Sequence, residues 1–298
     1  MNEGPSATSK TQAGTSVPLA NLDGHILPLA EAKVSALDRG FLFGDAVYEV
    51  LRVYGGRPWL ADEHFARLAR SLAAVRISGV DLRRLRERMS ATIAAGPFRE
   101  AIVYIQITRG TAPRRHTFPT GAVPLEFLYV QEFSDPYVEA RDKGASVILQ
   151  PDIRWGRCDI KSTNLLANVM ALQSAKEAGC VEALLYLPDG TLTEASHSSL
   201  FGVHCGQLIT AAHGPAILPG VTRDRIVAMA GECGIAVCER NLHRDELFNV
   251  DELFLTGTTT EVLPIVRVDE QLITNGQPGA VTRRLRMFYE EVVGRFRA

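Results

Sequence analysis

Only five lysines occur among the 32 basic residues of this 298-residue chain: Lys10, Lys33, Lys143, Lys161 and Lys176. Any reaction that needs an amine nucleophile therefore has five candidates. Lys161 stands apart by context. It lies in Asp152-Ile153-Arg154-Trp155-Gly156-Arg157-Cys158-Asp159-Ile160-Lys161-Ser162-Thr163-Asn164, between an expected strand and an expected helix, where active-site side chains are commonly presented. The positive charges of Arg154 and Arg157, together with partial burial, would disfavour a further cation and leave a neutral amine able to form a Schiff base. The same context also suits an ordinary surface lysine. A second chemical feature is Pro219-Gly220-Val221-Thr222-Arg223. A helix beginning after Gly220 would turn the backbone N–H groups of Val221 and Thr222, with the Thr222 hydroxyl, into an anion site at its positive end. A third is Arg114-Arg115-His116. The Arg114 guanidinium can grip a carboxylate with two parallel hydrogen bonds.

The elements that must position these groups follow from periodicity. Phe65, Leu68, Leu72 and Val75 recur at helical spacing, as do Leu82, Leu85, Met89 and Ile93, the second set with Asp81 as cap and Gly96 as stop. Strands are expected at Ala101 to Thr108 and Leu125 to Val130, following a mixed stretch from Leu29 to Val53 with a turn at Asp38-Arg39-Gly40. Beyond a polar connection come a strand from Ala145 to Gln150, a helix from Asn164 to Glu177 and strands at Ala183 to Leu187, Leu200 to Val203 and Gln207 to Thr210. A helix from Arg223 to Cys233, with Thr222 as N-cap, short strands near Ala236 and Glu252, and an amphipathic helix from Val281 to Phe296 complete the reading.

Composition narrows the function classes. At 46% hydrophobic and 22% charged the chain is an ordinary globular protein, long enough for two domains of about 150 residues each. The net charge of −2 supplies no attraction to nucleic acid or to an anionic membrane, so small molecules are the expected partners. Cys158, Cys180, Cys205, Cys233 and Cys238 are odd in number and lack Cys-x-x-Cys spacing, which argues against a disulfide framework or a zinc ribbon. No metal site is expected, and a reducing cytoplasm fits, since no segment reads as a signal peptide or a membrane span. A Walker loop and a Gly-x-Gly-x-x-Gly turn are both missing, which leaves a kinase or dinucleotide-binding module without support.

Six segments occur in an order that resembles the fold type IV pyridoxal-phosphate enzymes, the superfamily of branched-chain and D-amino acid aminotransferases. They are Asp38-Arg39-Gly40-Phe41-Leu42-Phe43-Gly44-Asp45-Ala46-Val47-Tyr48-Glu49, Thr108-Arg109-Gly110-Thr111, the Lys161 segment, Leu192-Thr193-Glu194-Ala195-Ser196, Ile217-Leu218-Pro219-Gly220-Val221-Thr222-Arg223, and Leu255-Thr256-Gly257-Thr258-Thr259-Thr260-Glu261. The likeness runs from about residue 22 to residue 290.

The resemblance implies an α/β (α+β) fold of two domains. Residues 1–20 would form a flexible extension, 21–136 a small mixed α/β domain, 137–143 a linker and 144–298 a large pseudo-barrel domain that binds pyridoxal 5'-phosphate. It further implies that Lys161 holds the cofactor and moves the substrate proton. Glu194 would face the pyridine nitrogen and keep it protonated, Arg154 would lie near the phenolate oxygen, and Arg67, Val221, Thr222, Gly257 and Thr258 would bind the phosphate. Ser196 and Leu218 would complete the cofactor site.

Tyr48, Arg114 and His116 would bind substrate, the last two resembling the carboxylate trap of the D-specific branch. In the family that loop reaches the partner's site, which implies a homodimer. The implied reaction is ping-pong transfer from a D-amino acid such as D-alanine to a 2-oxo acid such as 2-oxoglutarate. A branched-chain L-aminotransferase, an (R)-selective amine aminotransferase and 4-amino-4-deoxychorismate lyase are the alternatives within the fold. Two departures stand out. Gly257 replaces a serine common in the family, and Ala195-Ser196-His197-Ser198-Ser199 introduces a bulky, titratable His197 that either tunes the site or serves as a local hydrogen-bond partner.

Overall fold

The computed structural model describes residues 17–297. Two sheets organise the chain. The first contains β1 (Leu19–Leu22), β2 (His25–Pro28), β3 (Ala46–Tyr54), β4 (Arg57–Pro58), β5 (Ala101–Thr108) and β6 (Leu125–Glu132), in the order β2-β1-β6-β5-β3-β4. All its pairings are antiparallel. A short helix α1 (Arg39–Phe43) precedes β3, and α2 (Ala61–Ala74) and α3 (Leu82–Ala95) cover one face. Val47, Leu51 and Val53 alternate along β3 toward that face and pack with Phe65, Leu68, Leu85 and Met89. Asp81 caps α3 by accepting from the N–H groups of Arg83 and Arg84, and Gly96 ends it, as the sequence predicts.

The second sheet is built from β7 (Ala145–Pro151), β8 (Glu182–Tyr186), β9 (Leu192–Ala195), β10 (Ser199–His204), β11 (Gln207–Thr210), β12 (Val237–Glu239), β13 (Glu252–Gly257), β14 (Glu261–Val268) and β15 (Gln271–Leu272). Its order is β12-β11-β10-β13-β14-β7-β8-β9, with β15 on β14. This order forces curvature. β9 and β10 lie five places apart in the sheet, about 24 Å if it were flat at about 4.8 Å per strand. The four Cα steps from Ala195 to Ser199 span at most about 15 Å, so the sheet curls until its β9 edge returns beside β10, where Ala195 N–H donates to Ser198 O. That turn carries Ser196, His197 and Ser198. Helices α4 (Val138–Lys143), α5 (Leu166–Glu177), α6 (Val221–Glu232) and α7 (Ala280–Arg297) complete the fold. Among the described residues no helix is long and apolar enough to cross a membrane.

Three details differ from the sequence reading. Of the extension expected over 1–20, residues 1–16 lie outside the described residues, and Leu19 and Ala20 already pair in β1 between β2 and β6, with Ala20 fully buried. The segment expected to be a plain linker folds as α4, because Arg141 is buried there and donates to Asp135 and to the carbonyls of Thr259 and Thr260. The N-cap of α6 is Gly220, which leaves Thr222 inside the helix.

The two sheets meet at an aromatic seam. Tyr54 and Trp59 from the first sheet share a cluster with Phe201, Phe254 and Tyr289 from the second sheet and α7. Trp59 Nε1–H donates to the Tyr289 hydroxyl (3.0 Å), and its ring meets those of Tyr54, Tyr289 and Phe296 edge-on. Trp59→Ala should therefore cost about 3–5 kcal/mol of stability by opening a cavity, measured by urea unfolding. A loss below about 1 kcal/mol, typical of surface sites, would show that the seam does not hold the sheets together.

Candidate active site

Lys161 sits in the loop between β7 and α5, and its backbone is clamped to the other sheet. Tyr48 N–H donates to Lys161 O (2.9 Å), Lys161 N–H donates to Ser71 Oγ on α2 (3.2 Å), and Ser162 bridges Val47. The amine makes no such bond among the described residues and lies 4.3 Å from the centroid of the Tyr48 ring. The two arginines expected to press on it are both neutralised. Arg154 pairs with Asp152 and Glu194, and the exposed Arg157 pairs with Asp159.

Glu194, on β9, is buried. It accepts from Arg154 and from the Leu218 N–H (3.1 Å). Burial raises its pKa, an effect that Arg154 and Leu218 reduce without cancelling. Its carboxylate is thus suited to a further cationic partner. Arg154 is itself fixed by Asp152 (2.7 Å) and the Ala216 carbonyl (3.1 Å).

The start of α6 forms an anion cradle. Gly220 caps the helix without a side-chain bond, and the first helical hydrogen bond is donated by Asp224 N–H to Gly220 O, leaving the N–H groups of Val221, Thr222 and Arg223 outside the helical ladder. A Cβ on Gly220 would lie 2.6 Å from Ser199 Oγ, so a side chain here would have to displace that hydroxyl. Arg67, buried on α2, reaches this turn and donates to Pro219 O (2.9 Å). Thr256 Oγ1 is buried with no hydrogen-bond partner among the described residues. An orphaned hydroxyl, free helix N–H groups and a buried guanidinium in one small cavity fit a phosphate. The nearby Lys161 and Glu194 fit the aldehyde and ring nitrogen of pyridoxal phosphate.

Two adjoining cavities hold these groups. The larger, about 240 Å³, is lined by Tyr48, Arg154, Lys161, Glu194, Ser196 and Leu218 together with apolar groups of α5. The smaller is lined by Arg67, Val221, Thr222, Thr256, Gly257 and Thr258. Lys161, Glu194, His197 and Leu218 belong to both.

Arg114 and His116 line neither cavity. They lie on an exposed loop against Phe43, with the Arg114 guanidinium 5.2 Å and the His116 ring 5.5 Å from that ring. The loop is anchored from below. Buried Arg39 donates to the carbonyls of Arg115 (2.6 Å) and Thr117 (3.4 Å) while its Nε binds Asp45, which Arg109 also holds.

The sequence reading gave no role to Glu49 or His64. Glu49 points from β3 into the helical face, accepts from Arg67 Nε (2.7 Å) and NH2 (2.8 Å), and bonds His64 Nδ1 (2.7 Å). The available signal was an acidic residue inside an apolar strand and a His64–Arg67 pair three apart on one helix face. Burial holds His64 below its usual pKa, so its neutral ring donates Nδ1–H to Glu49. Asp152 and Glu182, which fix Arg154 and His197, were likewise given no role.

The amino-transferase class IV family model matches residues 46–268. D-alanine aminotransferase of Bacillus licheniformis is 38% identical over 267 residues, covering 88% of this chain and 93% of that one. The branched-chain amino acid aminotransferase of Escherichia coli superposes with a TM-score of 0.87 at 25% identity, over 93% of this chain and 95% of that one. A branched-chain amino acid aminotransferase of T.th., solved with pyridoxamine 5'-phosphate, gives 0.86 at 28% identity, over 96% of each chain.

The Glu49 pair sets an acid limit. Burial opposes ionisation of Glu49, but Arg67 and His64 outweigh it and hold the carboxyl well below the usual carboxylate range. A depressed folded-state pKa adds stability that is complete above the unfolded value of about 4.3 and is lost as pH falls below it. Glu49→Gln should lose about 3–5 kcal/mol at neutral pH by leaving Arg67 buried and unpaired, and should flatten the acid limb measured by urea unfolding. An acid limb as steep as wild type would remove Glu49 as its cause.

Proposed function

The chain belongs to the class IV aminotransferases, and from that premise we propose that it moves the amino group of a D-amino acid such as D-alanine to a 2-oxo acid such as 2-oxoglutarate. One observation carries the reaction type: Lys161 and buried Glu194 flank a cavity that ends in the anion cradle of Arg67 and α6. The D-specific assignment is supported by 38% identity to a D-alanine aminotransferase, against 25% and 28% for the branched-chain enzymes.

Pyridoxal phosphate, the family's cofactor, supplies when bound an electron-accepting ring that makes a substrate Cα proton acidic. The residues of this chain do the rest. Arg67, the Val221 and Thr222 N–H groups, the Thr222 hydroxyl, Gly257 and Thr258 would hold the phosphate. Glu194, kept in place by Arg154 and Leu218, would bind the ring nitrogen and stabilise its proton, Arg154 would serve the phenolate oxygen, and Leu218 and Ser196 would border the ring. Lys161 Nζ takes the Cα proton from one face of the substrate and returns a proton on that side. Tyr48, beneath the amine, borders the substrate.

Arg114 and His116 complete the site in trans, gripping the substrate α-carboxylate of the partner subunit in a homodimer. Their loop lies outside its own cavities, and Trp155 and Val169, at the cavity, are exposed beside Leu166 and Met170 as a surface for a second copy to cover. The five unpaired cysteines support a cytoplasmic location. The backbone match to branched-chain enzymes supports a second reading, transfer from branched-chain L-amino acids.

Half-reactions decide between them. Mixed with D-alanine, the yellow holoenzyme should lose its visible absorption faster than with L-leucine or (R)-1-phenylethylamine, and Lys161→Ala should show no such reaction. Faster loss with L-leucine would install the second reading. Arg114→Ala should raise the apparent KM for D-alanine at least about tenfold, a charge-assisted pair being worth about 1.5–3 kcal/mol. If the trap acts in trans, Lys161→Ala and Arg114→Ala subunits refolded together should recover activity that neither shows alone at low D-alanine.

A further inference from the structure

Three cationic side chains line the larger cavity: Arg154, Lys161 and His197. Arg154 is committed to Asp152 and Glu194, and Lys161 to the proton transfer assigned above. His197 is left over. Its position is built rather than incidental. Glu182, wholly buried at the start of β8, accepts from the Ser196 hydroxyl (3.1 Å), the Ser198 hydroxyl (2.6 Å) and the His197 N–H (2.9 Å), and its Oε2 lies 3.1 Å from His197 Nδ1. The His197 side chain remains 35% exposed to the cavities, and its Nε2 has no hydrogen-bond partner among the described residues.

Resting on the aminotransferase reading, we infer that His197 is a specificity-determining residue whose Nε2–H binds the distal carboxylate of a dicarboxylic substrate, 2-oxoglutarate or the D-glutamate made from it. The two methylenes of such a substrate would lie against Leu165, Val169 and Leu172, which line the same cavity. A carboxylate carried among those apolar groups without a cation would be costly, and His197, held by Glu182 through Nδ1, keeps Nε2 free of any partner among the described residues.

Charge supports the assignment. Burial opposes the His197 charge, but Glu182 outweighs it and raises the imidazole pKa, while Lys161 acts in the opposite direction. Glu194 on β9 borders both cavities, while Arg67 on α2, neutralised by Glu49, and Arg223, paired by Asp224 and Glu239, line the smaller one. Glu182 therefore favours the protonated ring, and dicarboxylate binding should weaken as pH rises through its raised pKa.

With D-alanine as donor, His197→Ser should lower the kcat/KM ratio of 2-oxoglutarate over 2-oxobutyrate by about tenfold, one charge-assisted hydrogen bond. His197→Gln should retain part of that ratio and lose its pH dependence. In ¹⁵N-histidine-labelled holoenzyme, glutarate should shift the resonance that His197→Gln removes, and butyrate should not. An equal fall for both acceptors, assigning His197 a structural role, would overturn the inference. So would weakened cofactor binding in the serine variant with the acceptor ratio intact, which would make the anion the phosphate. A glutarate titration that leaves the His197 ring unmoved would do the same. Failure of wild type to use D-alanine with either acceptor would instead sink the aminotransferase reading, which the ring shift does not test.

Discussion

A single buried ion pair ties the site to both sheets. Glu49 projects from β3 into the helical face and binds Arg67 with both carboxylate oxygens, and Arg67 donates from its third guanidinium nitrogen to Pro219 O on the turn before α6. A buried guanidinium is tolerable only while its carboxylate stands opposite, and a buried carboxylate only while it is fully bonded. His64 supplies the remaining contact. The anion cradle at α6 belongs to the second sheet, yet its guanidinium comes from the first, so the cavity exists only where the two are docked. The Lys161 loop repeats the arrangement, leaving β7 of the second sheet and bonding Tyr48 and Ser71 of the first.

The predominance of arginine over lysine gains a structural meaning from these contacts. Arg39 holds the loop of Arg114 and His116 through two backbone carbonyls, Arg141 holds the Thr259–Thr260 turn, and Arg154 holds Glu194. Each is buried, and each bonds more than one partner at fixed angles, which a planar guanidinium allows and an ammonium does not. Lysine is reserved at this site for the one place where a movable, deprotonatable amine is needed.

Much of this was legible in the sequence. The helical stripes of α2 and α3, the Asp81 cap and the bounds of β5 and β11 follow from local periodicity and turn chemistry, which act over a few residues. The groups bordering the two cavities were legible as ordered segments, since strand ends and a helix start must carry them. What escaped was non-local. β14 carries Pro264, which reads as a strand breaker; it is accommodated because the parallel pairing with β7 begins only at Ile265. α4 is six residues long and polar, and besides nearby Asp135 its buried Arg141 finds its partners in a turn more than a hundred positions away. Glu49 and Glu182 were given no role, because the partners they meet lie fourteen or more positions away in the chain.

The two departures from the family pattern turn out to be neighbours, which neither shows alone. A Cβ on Gly257 would lie 3.2 Å from both Ser198 Oγ and Thr260 Oγ1, two hydroxyls that are themselves 3.0 Å apart. Ser198 is also the shortest bond to Glu182, the carboxylate that orients His197. A side chain at position 257 would have to push into this hydroxyl pair, loosening the bond that shares Glu182 with the imidazole. Glycine there preserves the backbone N–H at the anion cradle while leaving room for the Ser198–Thr260 contact. Gly257 and His197 are therefore linked through the Ser198–Thr260 hydroxyl pair and the Ser198–Glu182 bond.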